Sequence, residues 1–151
     1  VKDKCAPEVR EMTLEDVQDV ILIEREIFLF PWSIGNFSDS VKAGYVCRVI
    51  VKENTILGYG IMMMSPEEGH ILTLGIGVDC QKQGLGKLMI DYFSDHARLN
   101  NAKSILLDVR ESNERAIRLY KKMGFEHIAV RKDYYPTMSG RENALVMKLI
   151  L

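Results

Sequence analysis

A seven-residue turn, Gln81-Lys82-Gln83-Gly84-Leu85-Gly86-Lys87, follows an apolar run and opens a helical pattern, and its residue types suit the binding of an anion. Gly84 and Gly86 remove Cβ atoms where the first turn of a helix still has unpaired N–H groups. Those donors sit at the positive end of the helix dipole, which favours a phosphate or pyrophosphate. Lys82 and Lys87 add counter-charge nearby. A backbone-held diphosphate fits this pattern, and so does a tight strand-to-helix turn with no ligand. The phosphate loop of nucleotide hydrolases does not fit, because no Gly-Lys-Ser/Thr follows at the required distance, and the three-glycine dinucleotide fingerprint is missing. No serine, cysteine or threonine stands beside a base in a recognisable nucleophile motif, so covalent catalysis has little support. No histidine or cysteine pair has metal-ligand spacing, and no metal is expected.

The elements that must position this turn can be read outward from it. Ile71 to Val78 is apolar apart from Thr73, with Gly75 and Gly77 where a regular strand would carry packing side chains, which predicts a bulge or a close backbone approach. Beyond the turn, Leu85, Leu88, Met89, Tyr92, Phe93 and Ala97 recur at helical spacing on one core-facing side. Upstream, Val9 to Met12 reads as a short strand, and Thr13-Leu14-Glu15-Asp16 has capping-box spacing that predicts a helix starting there. Leu14, Val17, Val20, Ile21, Glu24, Ile27 and Phe28 follow its period. Glu24 is then either a solvated carboxylate at the helix edge or a group facing a substrate groove. Phe30-Pro31-Trp32-Ser33 ends that helix, and Ser33 caps a second one through Ala43. Tyr45 to Val51 and Ile56 to Met64 form a hairpin around Lys52-Glu53-Asn54-Thr55, with Met62, Met63 and Met64 as core filler.

Downstream, Ser104 to Val109 is a buried-looking strand interrupted by Asp108. Ser112 and Asn113 offer caps for a helix carrying Ala116, Ile117, Tyr120 and Met123, closed by Gly124. Phe125 to Val130 and Ala144 to Ile150 are two further strands. Between them Arg131-Lys132-Asp133-Tyr134-Tyr135-Pro136-Thr137 is expected as a long aromatic connection of the kind that often carries function. The order predicts one mixed α/β domain over residues 1–151, with an antiparallel front and a parallel join between the strands at 70 and 104.

At 151 residues and 47% hydrophobic content the chain can bury one sizeable core without a second domain. A formal net charge of −1 argues against holding nucleic acid by bulk electrostatics. Cys5, Cys47 and Cys80 are widely spaced and odd in number, which points to a reducing cytoplasm. No charged-then-apolar leader opens the chain and no apolar run approaches the ~20 residues of a membrane helix, so neither a signal sequence nor a membrane span is expected.

Gln81-x-x-Gly84-x-Gly86 after a glycine-bearing strand resembles the acyl-CoA pyrophosphate loop of the GCN5-related N-acetyltransferases (GNAT superfamily). The run from Leu107 to Tyr120, LDVRESNERAIRLY, resembles the matching motif of protein N-terminal acetyltransferases of the RimI-like, ribosomal-protein-alanine type. The resemblance implies a GNAT fold: a mostly antiparallel sheet of about seven strands flanked by about four helices, with a splayed parallel pair holding acetyl-CoA. It implies that Leu74, Gly75 and Ile76 pair with the pantetheine arm, that Lys82, Gln83, Gly84, Leu85, Gly86 and Lys87 hold the pyrophosphate, and that Asn113 and Tyr120 touch the cofactor. It further implies that Asp108 takes the amine proton and that Tyr120 protonates the departing thiolate. RimI-like enzymes carry glutamate where this chain has Asp108, and the side chain shorter by one methylene favours a bridging water. Val78 and Cys80 also depart from the family, at positions that backbone-mediated binding tolerates.

Phe30-Pro31-Trp32-Ser33 and Tyr134-Tyr135-Pro136-Thr137 resemble the same RimI-like enzymes and imply a groove for a peptide entering N-terminus first, shaped by Phe30, Tyr134 and Tyr135, with Glu24 as a further candidate. Gly69-His70-Ile71 resembles the catalytic subunit of broad co-translational N-terminal acetyltransferases, including archaeal ones. His70 is then either a second base reached through water or a satisfied strand-end histidine. A free α-amine, with a pKa of about 7.7–8.0, is already neutral in on the order of a tenth of molecules at pH 7, so its base need only be modest. The expected partners are ribosomal or nascent protein N-termini, without nucleic acid or membrane. The rivals are a lysine or small-molecule amine acetyltransferase on the same scaffold, a non-catalytic CoA-binding module, and a nucleotide-binding regulator.

Overall fold

A computed structural model describes residues 6–151; Cys5 lies outside the described residues. The chain runs β1 (Glu8–Glu11), α1 (Val17–Ile27), α2 (Ile34–Lys42), β2 (Val46–Lys52), β3 (Thr55–Ser65), β4 (Glu68–Ile76), a 3-10 turn (Val78–Cys80), α3 (Leu85–Leu99), β5 (Ser104–Arg110), α4 (Glu114–Lys122), β6 (Glu126–Thr137) and β7 (Gly140–Ile150). The strands form one sheet in the order β1-β2-β3-β4-β5-β7-β6. Among the pairings, β1 with β2, β2 with β3, β5 with β7 and β6 with β7 are antiparallel, while β4 with β5 is parallel. The expected α/β class and element order are therefore found.

By packing, the chain divides into two compact units: residues up to Met63 with Thr73–Phe93, and Met64–Leu72 with Ser94–Leu151. In the first unit the β2–β3 hairpin turns on Glu53 and Asn54, whose φ angles of 50° and 64° match the twist of a tight two-residue turn. Its interior is built from Val20 and Ile21 of α1, Phe37 of α2, Val49 and Ile50 of β2, Tyr59 and Ile61 of β3, and Met89 and Phe93 of α3, all buried. Ser33 caps α2 as expected: its hydroxyl accepts from the Asn36 N–H, and the Asn36 side chain accepts from the Ser33 N–H. Helix α1 begins later than the expected start, at Val17. The Asp16 carboxylate accepts from the Thr13 N–H at 2.8 Å and from the Arg10 guanidinium at 2.7 Å, which holds 13–16 as a turn ahead of the helix.

Gly75 is explained by Tyr59. A Cβ at Gly75 would run into the Tyr59 hydroxyl and ring carbon and, at 2.7 Å, the Ile27 side chain. The missing side chain is a requirement of internal packing. Of the methionine run, Met62 is fully buried, while Met63 and Met64 are half-buried.

In the second unit, Ile105, Leu107 and Val109 of β5 and Ala144, Val146 and Met147 of β7 supply the interior. The parallel pairing is short, from Glu68 opposite Ser104 to Ile71 opposite Leu107. The expected long connection over 131–137 is instead strand: β6 continues to Thr137 and pairs Tyr135 with Glu142 and Thr137 with Gly140. The sequence pattern hides this because the strand is irregular. Four steps of β6, Arg131 to Tyr135, face two steps of β7, Ala144 to Glu142. Asp133 absorbs the excess at φ 50°, with its N–H donating to Asn143 Oδ1 at 3.0 Å.

Gly75→Ala should destabilise the fold by about 1–3 kcal/mol through overpacking against Tyr59, read as a lower urea midpoint at unchanged slope. An unaltered midpoint would show that the ring has room to retreat.

Candidate active site

Two groups of sequence-predicted residues occur, one in each unit. The first is the turn ahead of α3. Gly84 has φ +80° and open space where a Cβ would stand, and Lys82 has φ +64°. The first helical bond runs from the Leu88 N–H to the Gly84 carbonyl, so the Leu85, Gly86 and Lys87 amides precede the helical ladder. Gln81 Nε2 donates to the Ile76 carbonyl at 3.1 Å, tying the turn to the end of β4. Lys87 is engaged along its own helix with Asp91 at 2.6 Å, whereas the exposed Lys82 stands in the turn itself. An uncovered glycine beside consecutive first-turn amides fits the diphosphate of a coenzyme A derivative held by backbone. Leu74 and Ile76 are half-buried on β4, and Gly75 between them is buried.

Glu24 is neither a solvated edge residue nor an open groove wall. It is 2% exposed, and its oxygens accept from the Tyr59 hydroxyl at 2.6 Å, the Thr73 hydroxyl at 3.3 Å and the Trp32 N–H at 2.9 Å. Phe30 lies in the irregular segment between α1 and α2 and is 40% exposed.

The second group lies on β4, β5, α4 and β6 of the second unit. His70 is opposite Leu106, so Asp108, two residues further along β5, shares its face. His70 Nε2 lies 3.1 Å from Asp108 Oδ2, and Arg131 Nε donates to Asp108 Oδ1 at 3.1 Å. Burial pushes the Asp108 carboxyl up, but the His70 hydrogen bond and the Arg131 charge outweigh it and hold the group below the usual carboxylate range. Tyr120 on α4 packs against Phe125, and burial pushes its phenol up to about 12. Tyr134 and Tyr135 meet edge to face at 4.9 Å. Burial, followed by the Asp108 charge, pushes the Tyr135 phenol upward, with smaller effects from Tyr134, Arg110 and Tyr120. Tyr135, Asp108 and Tyr120 therefore share one electrostatic neighbourhood. Asn113 caps α4, its Oδ1 accepting from the Ala116 N–H at 3.2 Å.

Two contributors escape a reading of the sequence. Arg131 sits near the tyrosine pair in the chain, but only the β6–β7 register aims it at Asp108. Arg110 stacks over the Tyr135 ring at 4.6 Å and donates to the Pro136 carbonyl and Glu142, each at 2.8 Å. Residues 32 positions apart carry no local signal of such a pair.

The family model described as "Acetyltransferase (GNAT) family" matches residues 8–125. A [ribosomal protein bS18]-alanine N-acetyltransferase of Haemophilus influenzae is 33% identical over 137 residues, covering 90% of this chain and 93% of the relative. The crystal structure of the ribosomal-protein-S18-alanine N-acetyltransferase from Escherichia coli superposes with a TM-score of 0.90 at 28% identity, covering 96% of this chain and 94% of that one. Ard1 from Thermoplasma volcanium superposes at 0.87 with 27% identity, covering 97% and 98%.

The folded-state value of Asp108 lies below its unfolded value, so its stabilising contribution is complete above the unfolded carboxyl range of about 3.9 and is lost as pH falls through the folded value. Between about pH 5 and about pH 2 the wild type should lose more stability in urea titrations than Asp108→Asn. Equal losses would show that the carboxylate gains nothing from His70 and Arg131.

Proposed function

The chain belongs to the acetyltransferase (GNAT) family, and from that premise we propose that it transfers the acetyl group of acetyl-CoA to the α-amino group of protein N-termini, ribosomal or nascent. The observation that carries the chemistry is the contact of His70 with an Asp108 held in its ionised form.

Acetyltransferases of this family take their acyl group from acetyl-CoA, whose thioester supplies an activated carbonyl when bound. In the proposal, the amides at the start of α3, with Lys82, Gln83 and Gly84, hold the pyrophosphate, and the backbone of Leu74–Ile76 receives the pantetheine arm. The Asn113 amide N–H₂ group is assigned to a cofactor contact, since its Oδ1 serves the helix cap.

Proton handling belongs to the second unit. With both Asp108 oxygens accepting hydrogen bonds, Asp108 serves as the positioning residue and His70 as the proton acceptor. Nε2–H donation to the carboxylate places the imidazole lone pair on Nδ1, the atom that takes the proton from the acceptor ammonium. Tyr120 is protonated at neutral pH as any phenol is, the more so with burial pushing it up to about 12, and is assigned to protonate the CoA thiolate released as the acyl group passes to the amine. Phe30, Tyr134 and Tyr135 are assigned to the acceptor peptide. A reducing, cytoplasmic setting completes the proposal: Cys47 and Cys80 are free thiols.

Tyr120→Phe should lower kcat by about 10²–10⁴ on an N-terminal peptide while calorimetric binding of CoA persists. A variant with wild-type kcat would remove Tyr120 from the chemistry. Loss of CoA binding would assign it to the cofactor alone.

A further inference from the structure

Glu24 is a carboxylate in the interior of the first unit, at 2% exposure. It belongs to a closed ring of contacts. The Tyr59 hydroxyl donates to Glu24 Oε1 at 2.6 Å, the Tyr59 ring meets Phe37 edge-on at 5.6 Å, Phe37 meets Trp32 at 5.2 Å, and the Trp32 N–H returns to Glu24 Oε2 at 2.9 Å. Thr73 of β4 donates to the same carboxylate at 3.3 Å. Three donors converge on two oxygens, which suits a group that only accepts.

The segment closed by this ring, residues 28–32, has no helix or strand of its own. Outside the ring it presents Leu29, 69% exposed, and Phe30, 40% exposed, beside a surface depression lined by Arg25, Glu26, Ile27, Phe28, Leu29 and Pro31. At the start of the segment the Phe28 N–H donates to the Glu24 carbonyl at 3.0 Å, and at its end the Trp32 N–H donates to the Glu24 side chain. One residue thus pins the segment twice, by its backbone and by its side chain.

We propose that Glu24 is a positioning residue for the acceptor: its carboxylate fixes Trp32 and thereby sets the segment that presents Phe30. This rests on the assignment of Phe30 to the acceptor peptide made above. Glu24 touches no reacting atom in the proposal, so its loss acts on acceptor binding and spares proton transfer.

The test compares Glu24→Met, which keeps the volume and removes the acceptor, with Glu24→Gln, whose carbonyl can still receive the Trp32 N–H. Trp32 is the chain's one tryptophan, so its fluorescence reports on the segment directly. Glu24→Met should raise the peptide KM by about tenfold, with kcat and the CoA Kd unchanged and acrylamide quenching of Trp32 increased. Glu24→Gln should restore most of the KM and the quenching. Unchanged peptide KM in an active, folded Glu24→Met, or a fall in kcat alone, overturns the proposal. Should Glu24→Met fail to fold, amide exchange of Trp32 decides. In Glu24→Gln, Trp32 exchange and peptide KM that move together, both near the wild-type values or both raised, support the proposal; a change in one without the other overturns it, as does fast exchange in the wild type. A wild type that binds CoA but acetylates no N-terminal peptide removes the acceptor reading, and this positioning role with it.

Discussion

Four cross-strand pairs, from Glu68 opposite Ser104 to Ile71 opposite Leu107, fix the face on which β4 and β5 display their polar side chains. Side chains alternate along a strand, so a slip of one residue would send His70 and Asp108 to opposite faces. The register is itself set by burial: Ile71, Ile105 and Leu107 are all interior, and a slip would put His70 or Leu72 in the place of Ile71, or Ser104 with Leu106 or Leu106 with Asp108 in the places of Ile105 and Leu107. The imidazole–carboxylate contact is therefore a consequence of core packing. Arg131 reaches the same carboxylate from β6, which draws the hairpin register into the arrangement.

The first unit solves a different problem, the burial of a carboxylate. Glu24 is tolerable in the interior because Tyr59, Thr73 and Trp32 satisfy it. Tyr59 can reach it only because Gly75 leaves room for the ring. A glycine on β4 is thus linked, through one phenol and one carboxylate, to the segment after α1. The turn at 82–87 needs less support, since helix geometry alone leaves its amides uncovered.

Much of this is legible in the chain. The element order, the Ser33 cap, the parallel join and the amide-rich turn follow from local rules of capping, alternation and glycine placement. What is not legible depends on register or on distant partners. Residues 131–137 of β6 read as a connection because the irregularity at 131–135 breaks the alternation that marks a strand. Gly75 reads as a bulge or a close backbone approach, while the neighbour that needs the space, Tyr59, belongs to a different strand. Arg131 and Arg110 are ordinary surface cations in sequence, and only folding brings them to Asp108 and Tyr135.

The central claim is the identity of the accepting atom. The direct measurement is tandem mass spectrometry of a peptide that carries a free α-amine and an internal lysine, after incubation with the protein and acetyl-CoA. The account predicts one acetyl group on the α-amine and none when that amine is blocked. Acetylation confined to the lysine, or surviving the block, would contradict it.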